Sequence, residues 1–140
     1  MFRAALMNLC LPALLFAPLA ARPRVPAPTV ETDYILALSA ANHFLHAWQT
    51  NDQETGILML SDRLKHKTAE DTLQTLFSSA VDSPQSFEIG RGKRLGPGRY
   101  KFPVALFLKS ATTKKWTQPR PSALIVVKAG NNDWAIDKLP

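Results

Sequence analysis

The stretch RYKFPVALFLKSA, residues 99–111, alternates between two kinds of side chain. One set is apolar and comprises Tyr100, Phe102, Val104, Leu106 and Leu108. The other set mixes charge with small or apolar groups and comprises Arg99, Lys101, Pro103, Ala105, Phe107 and Lys109. Successive side chains of a strand point to opposite faces of the sheet. This period of two therefore predicts a β-strand with one apolar face.

The segments around this strand continue the same pattern. QSFEIGRGKRL (residues 85–95) precedes it, and Gly96, Pro97 and Gly98 between them form a turn signal. SALIVVKA (residues 122–129) and WAIDKL (residues 134–139) follow, with the turn residues GNND before the last. Short apolar segments separated by turn residues predict an antiparallel meander, here of four strands.

The chain before residue 85 has a helical period instead. Tyr34, Leu38, Ala41, Leu45 and Trp48 recur at spacings of four and three, which places them on one stripe of a helix. A second, shorter helical piece is predicted in residues 52–67. A third helix is predicted to begin at a Thr68 N-cap, in the manner of a capping box. About three helices followed by a curved four-stranded sheet predict an α+β fold.

The N-terminus has the pattern of a secretory signal peptide. A single Arg3 is followed by an apolar run that ends in the small residues Ala20 and Ala21. Asn8 and two prolines interrupt the run, which is also short for the roughly 20 residues that a membrane span needs. We expect a signal peptide over residues 1–21, a proline-rich linker over 22–30 and one domain over 31–140. The protein is then exported, periplasmic or secreted, without a stable membrane span after cleavage.

Charge is distributed unevenly along the chain, whose formal net charge is +6. Residues 31–88 hold nine acidic side chains and three basic ones, whereas residues 89–132 hold ten basic side chains and no acidic one. Such asymmetry bears on partners more than on fold. The candidate surface for an anionic partner comprises Arg94, Arg99, Lys101, Lys114, Lys115 and Arg120. Alternate turns of a meander lie at opposite ends, so these residues are expected to form two patches.

Sequence motifs for catalysis, metals and cofactors are absent. The chain contains no G-x-S-x-G, no H-E-x-x-H and no phosphate-binding glycine loop before a helix. Its one cysteine, Cys10, lies inside the predicted signal peptide, which excludes thiolate chemistry in the mature chain. His43 and His46 are two ligands short of a closed zinc site. We therefore assign no catalytic, metal-binding or cofactor-binding residue.

The order of elements resembles the nuclear transport factor two-like superfamily. An aromatic-rich helix, Asn and Asp residues and a Leu-rich piece follow one another in FLHAWQTNDQETGILMLSDRL (residues 44–64), and WAID (residues 134–137) lies in the last strand. The resemblance covers residues 31–139. It implies a cone, in which a bent sheet wraps around the long helix and encloses a cavity. A cystatin-like fold, with one helix against a meander, remains the alternative.

Two functions are compatible with this fold. The favoured one is an exported, non-enzymatic binding or protein-interaction module with a largely apolar cavity and a basic sheet rim. It would take a small apolar ligand or an acidic protein, or pair with a second copy through Ala105 and Phe107. The alternative is a small isomerase or dehydratase that uses Asp33, His46 or Asp52 as a general base. Export and the lack of a basic, aromatic-lined groove argue against nucleic acid.

Overall fold

Helices come first and strands second in the computed structural model, which describes residues 31–79, 83–108 and 118–140. The described helices and strands have the following bounds: α1 Thr32–Gln49, α2 Gln53–Leu58, α3 Asp62–Lys67, α4 Glu70–Ser78, β1 Pro84–Ile89, β2 Lys93–Gly96, β3 Arg99–Leu108, β4 Arg120–Lys128 and β5 Trp134–Lys138. The predicted signal peptide, the linker, Lys114 and Lys115 lie outside the described residues.

The strands form one open antiparallel sheet in the order β1-β3-β4-β5, and β2 pairs with the same edge of β3 as β1. The predicted α+β class is confirmed. The predicted count of four strands is wrong, because the segment before the turn is split into β1 and β2. Gly92 explains the split: its amide donates to the Tyr34 hydroxyl at 3.0 Å, and a Cβ atom there would overlap the Phe102 ring.

The described residues also contain four helices where about three were predicted. The second predicted helix is interrupted because residues 59–61 run beside β5. The Ile136 amide donates to the Met59 carbonyl at 2.8 Å, and the Ser61 amide donates to the Ile136 carbonyl at 2.8 Å. The capping prediction for Thr68 is wrong: Thr68 ends α3, and Ala69 precedes α4 without a side-chain cap.

The hydrophobic core lies between α1 and one face of the sheet. Ala41, Leu45 and Trp48 of the predicted helix stripe are buried, as are the even-numbered residues Tyr100 to Leu106 of β3. Trp48 also donates from its indole nitrogen to the Leu76 carbonyl at 2.9 Å, which ties α4 to α1. The alternation in residues 99–108 thus identified the core face of β3 correctly.

Candidate functional site

A buried carboxylate, Asp137, lies near the end of β5. Its side chain is only 4% exposed. Ile125 of β4 faces Lys138, whereas the next residue, Val126, faces Ile136, so Asp137 is the extra residue of a β-bulge. Bulges redirect side chains, and a buried carboxylate needs partners that offset its desolvation.

Ser61 is the first of these partners. Its hydroxyl donates to Asp137 Oδ1 at 2.7 Å and accepts the Leu64 amide at 3.1 Å, which caps α3. The main-chain bonds between residues 59–61 and Ile136 bring Ser61 to β5. One serine therefore fixes both the start of α3 and the orientation of the Asp137 carboxylate.

Two arginines meet on the same carboxylate. Arg63 of α3 donates from Nε to Oδ1 at 2.9 Å and from Nη2 to Oδ2 at 2.7 Å, and Nη2 also reaches the Asp137 carbonyl at 2.9 Å. Arg99 of β3 places Nη1 3.2 Å from Oδ2. The Arg63 and Arg99 side chains remain 58% and 42% exposed. Arg63 Nη1 and the remaining Arg99 donors have no other partner among the described residues.

The electrostatics agree with this geometry. Hydrogen bonds from Arg63, together with the Ser61 bond and the charge of Arg99, lower the pKa of Asp137, although its burial acts in the opposite direction. The same hydrogen bonds raise the pKa of Arg63. Asp137 is therefore an anion throughout the ordinary pH range, and it holds two guanidinium groups in fixed positions.

These arginines lie in a groove of about 560 Å³ between α3, the start of α4, the start of β3, Ile125 of β4 and the end of β5. Its charged lining consists of four cations and one carboxylate, namely Arg63, Lys67, Arg99, Lys138 and Asp137. The hydroxyl residues Thr68 and Thr72 also line it. We call this surface the basic groove. It offers several positive charges and hydrogen-bond donors to a ligand that carries negative charge.

The residues of the predicted anionic surface lie in different places. Arg99 lines the basic groove. Lys101 of β3 is paired across the sheet with Ile125 of β4, and Ile125 is paired with Lys138 of β5. Arg94 instead pairs with Glu31 at 3.3 Å. Arg120 faces Leu106, seven residues along β3 from Arg99, a separation of about 23 Å at strand rise. Lys114 and Lys115 are outside the described residues.

Sequence reasoning missed Arg63, Lys67 and Lys138. All three lie outside residues 89–132, where the basic residues of the predicted surface cluster. One signal was present: Asp137 follows the apolar residues Trp134, Ala135 and Ile136. An acid in a strand that is otherwise buried requires a basic or hydroxyl partner from elsewhere in the chain.

The residues of the alternative, enzymatic hypothesis lie near the surface. Asp33 pairs with Lys128 at 3.1 Å and is half-buried. His46 is exposed, and Asp52 is exposed and caps α2 by accepting the Thr55 amide at 3.1 Å. Hydrogen bonding to the Thr55 side chain, followed by the bond from its amide, lowers the pKa of Asp52. None of the three is a buried acid or base.

The described residues include no candidate metal site and no candidate membrane span. No three His, Cys, Asp or Glu side chains among them are placed to hold a metal ion. No helix in that part of the chain has the length and apolar character needed to cross a membrane.

Comparison with known proteins adds no relative. No family model matches the sequence, and no curated protein matches it. The resemblance to the nuclear transport factor two-like superfamily therefore remains a prediction based on element order and apolar spacing.

Proposed function

We propose that this protein is an exported, non-enzymatic binding module that holds an acidic segment of a partner protein in the basic groove. The convergence of Arg63 and Arg99 on Asp137 carries the proposal. Fixing two long side chains costs conformational entropy. Here the fold bears that cost before any partner arrives, so the free guanidinium donors are already oriented for a carboxylate.

An acidic protein segment fits this groove better than nucleic acid does. The lining holds no aromatic side chain on which a base could stack. Four cations along one groove instead suit a peptide segment that carries several successive carboxylates. Lys67 and Lys138 supply charge at its sides, while Arg63 and Arg99 supply directed hydrogen bonds.

The buried carboxylate favours binding over proton transfer. Asp137 is the one buried charged side chain among the described residues, and its pKa is lowered. A general base works best when its pKa lies near the operating pH. An enzyme of the isomerase or dehydratase type would need such a group, and Asp33, His46 and Asp52 are not buried.

A titration with hexaglutamate tests the binding proposal. We expect a calorimetric binding signal that weakens as salt is added. The double variant Lys67→Gln/Lys138→Gln should weaken binding about tenfold, because it removes two groove cations and leaves the Asp137 network intact. Arg91→Gln/Arg120→Gln removes the same charge elsewhere and should change binding less than about twofold.

Equal losses in both double variants would show that only net charge matters, which would contradict a specific groove. Tighter binding of heptathymidylate than of hexaglutamate would contradict the protein partner. The absence of any binding would reject the proposal altogether.

Export, the cone shape and pairing of two copies are further parts of this proposal. The outer face of β3 supports pairing, since Ala105 and Phe107 are only half-buried by the described residues and lie beside Pro121 and Ser86 of the neighbouring strands. Native mass spectrometry of the exported protein should then show a dimer that Phe107→Asp converts to a monomer. A wild-type monomer at micromolar concentration would remove pairing from the proposal.

Export predicts a mature chain that begins at Ala21 or Arg22. The test is expression with the protein's own N-terminus, followed by mass measurement of the extracellular or periplasmic fraction. Full-length protein that stays in the cytoplasm would contradict export and leave the groove chemistry unaffected.

A further inference from the structure

Trp134, at the start of β5, carries a buried hydrogen-bond donor without an acceptor. The residue is 9% exposed, its ring lies 5.7 Å from the Tyr100 ring, and the Lys128 ammonium lies 5.7 Å from its ring centre. Its Nε1 atom is buried and has no hydrogen-bond partner among the described residues. Buried polar groups are nearly always paired in folded proteins, because an unpaired one loses its hydration without compensation.

The main-chain amide and carbonyl of Trp134 point to the edge of the sheet that lies beyond β5. Both main-chain groups of Ile136 are bonded to residues 59 and 61, on the side of β5 away from β4. Main-chain groups two residues apart in a strand point the same way. The amide and carbonyl of Trp134 therefore also point away from β4, where residues 59–61 do not pair with them.

A groove of about 850 Å³ opens at this edge, and we call it the edge groove. Trp134, Met59 and Leu58 line it, as do Leu36 and Ala40 of α1. Leu58 is 70% exposed, which is the largest exposure of any large apolar residue that the structure describes. The free main-chain groups of Trp134 and the exposed Leu58 side chain thus border one groove, and the unpaired indole N–H is buried beneath it in a residue that lines it.

We infer that the edge groove receives an extended peptide segment of a partner protein. The peptide main chain pairs with the free edge at Trp134, as in strand addition to a sheet. One peptide oxygen accepts the Trp134 indole N–H, and an apolar peptide side chain covers Leu58. A single water could satisfy the indole, but it would leave Leu58 and the strand edge open. Arg63, Arg99 and Asp137 line both grooves, whereas Lys67 and Lys138 line the basic groove alone. Variants at these two lysines therefore separate the two proposals.

Selection from a displayed library of random dodecapeptides supplies the probe. We expect enrichment of peptides with alternating apolar residues, which are then synthesised and titrated into ¹⁵N-labelled protein. The Trp134 indole N–H resonance should move downfield by several tenths of a ppm on binding, because a new acceptor deshields it. The Trp48 indole signal is the internal control, since that N–H is already bonded to the Leu76 carbonyl.

Two variants make the test decisive. Trp134→Phe keeps a ring but removes the donor, and should weaken peptide binding about tenfold. Leu58→Asp changes an exposed side chain, so the protein still folds, and it should abolish detectable binding. Leu95→Asp is the matched control, as Leu95 is 45% exposed on β2, and it should bind like wild type.

Failure to enrich any peptide, or an unchanged Trp134 signal with the enriched ones, would overturn the inference. So would peptides that bind wild type, Leu58→Asp and Leu95→Asp equally. Peptides that need Lys67 and Lys138 but not Leu58 would support the basic groove alone.

Discussion

Asp137 is the residue that links the fold to the proposed binding chemistry. It stands at a bulge in β5, accepts from Ser61 and Arg63, and lies within ion-pair distance of Arg99. A bare carboxylate in this position would be strongly destabilising, because burial removes its hydration. Ser61 before α3, Arg63 in α3 and Arg99 in β3 offset that cost, and the carboxylate in turn fixes the two arginines.

Asp137→Asn should lower the free energy of unfolding by about 2 kcal/mol. The amide keeps the bond to Ser61, but it cannot balance two guanidinium charges or accept both Arg63 bonds. Urea denaturation at neutral pH measures the change. Glu88→Gln, an exposed carboxylate on β1, is the control and should stay within about 0.5 kcal/mol of wild type. A loss at Asp137 no larger than that would contradict the role of the network.

The stability that Asp137 contributes should depend on pH in one direction. Its folded pKa is lower than its unfolded value, which is near 3.8. The contribution is therefore complete at pH values above the unfolded pKa and is lost as the pH falls through the folded pKa. The stability difference between wild type and Asp137→Asn should shrink from about pH 5 downward. Urea titrations at several pH values test this, and a difference that stays constant to pH 2 would contradict it.

Of the basic residues that line the basic groove, only Arg99 was predicted from the sequence to contact an anionic partner, and that contact stays a prediction. Arg99 was expected to contact an anionic partner because basic residues cluster between residues 89 and 132. Its neighbours Arg63 and Lys67 could not be found in this way. Their position depends on residues 59–61 running beside β5, a contact between segments about 76 residues apart in sequence.

Helices and strands were predicted well where the apolar pattern extends over many residues. They were predicted less well where a few residues redirect the main chain. The strict alternation in β3 identified its buried residues, and the stripe in α1 identified three of the six buried residues of that helix, Ala41, Leu45 and Trp48. The split between β1 and β2 was missed, since residues 85–95 were predicted as one strand. The constraint at Gly92, contact with Phe102 and Tyr34, arises only when α1 packs on the sheet.

Gly92→Ala should destabilise the fold by about 2 kcal/mol, because a methyl group there would overlap the Phe102 ring in a packed core. Gly96→Ala is the matched control in the adjoining strand, where a Cβ atom would have no neighbour within 4 Å. It should change stability by less than about 0.5 kcal/mol. Thermal or urea unfolding of both variants measures the difference. Equal effects would show that Gly92 is not constrained by packing.

At the scale of the whole molecule, the basic groove combines residues from both halves of the chain. The acidic half of the sequence forms the helices, yet α3 contributes Arg63 and Lys67 to the basic groove. The sheet contributes Arg99 and Lys138 from the basic half and from the last strand. The charge asymmetry of the sequence predicts an anionic partner. It did not locate the groove, which lies where the two halves meet.

Chemical-shift mapping with hexaglutamate measures the location of the acidic partner directly. The basic groove predicts that amide shifts concentrate at residues 67–72 and 137–139, together with the side-chain Nε signals of Arg63 and Arg99. These shifts should saturate together and reverse with added salt. Shifts concentrated at Lys93 and Arg94, or spread evenly over every basic residue, would contradict the proposed binding site.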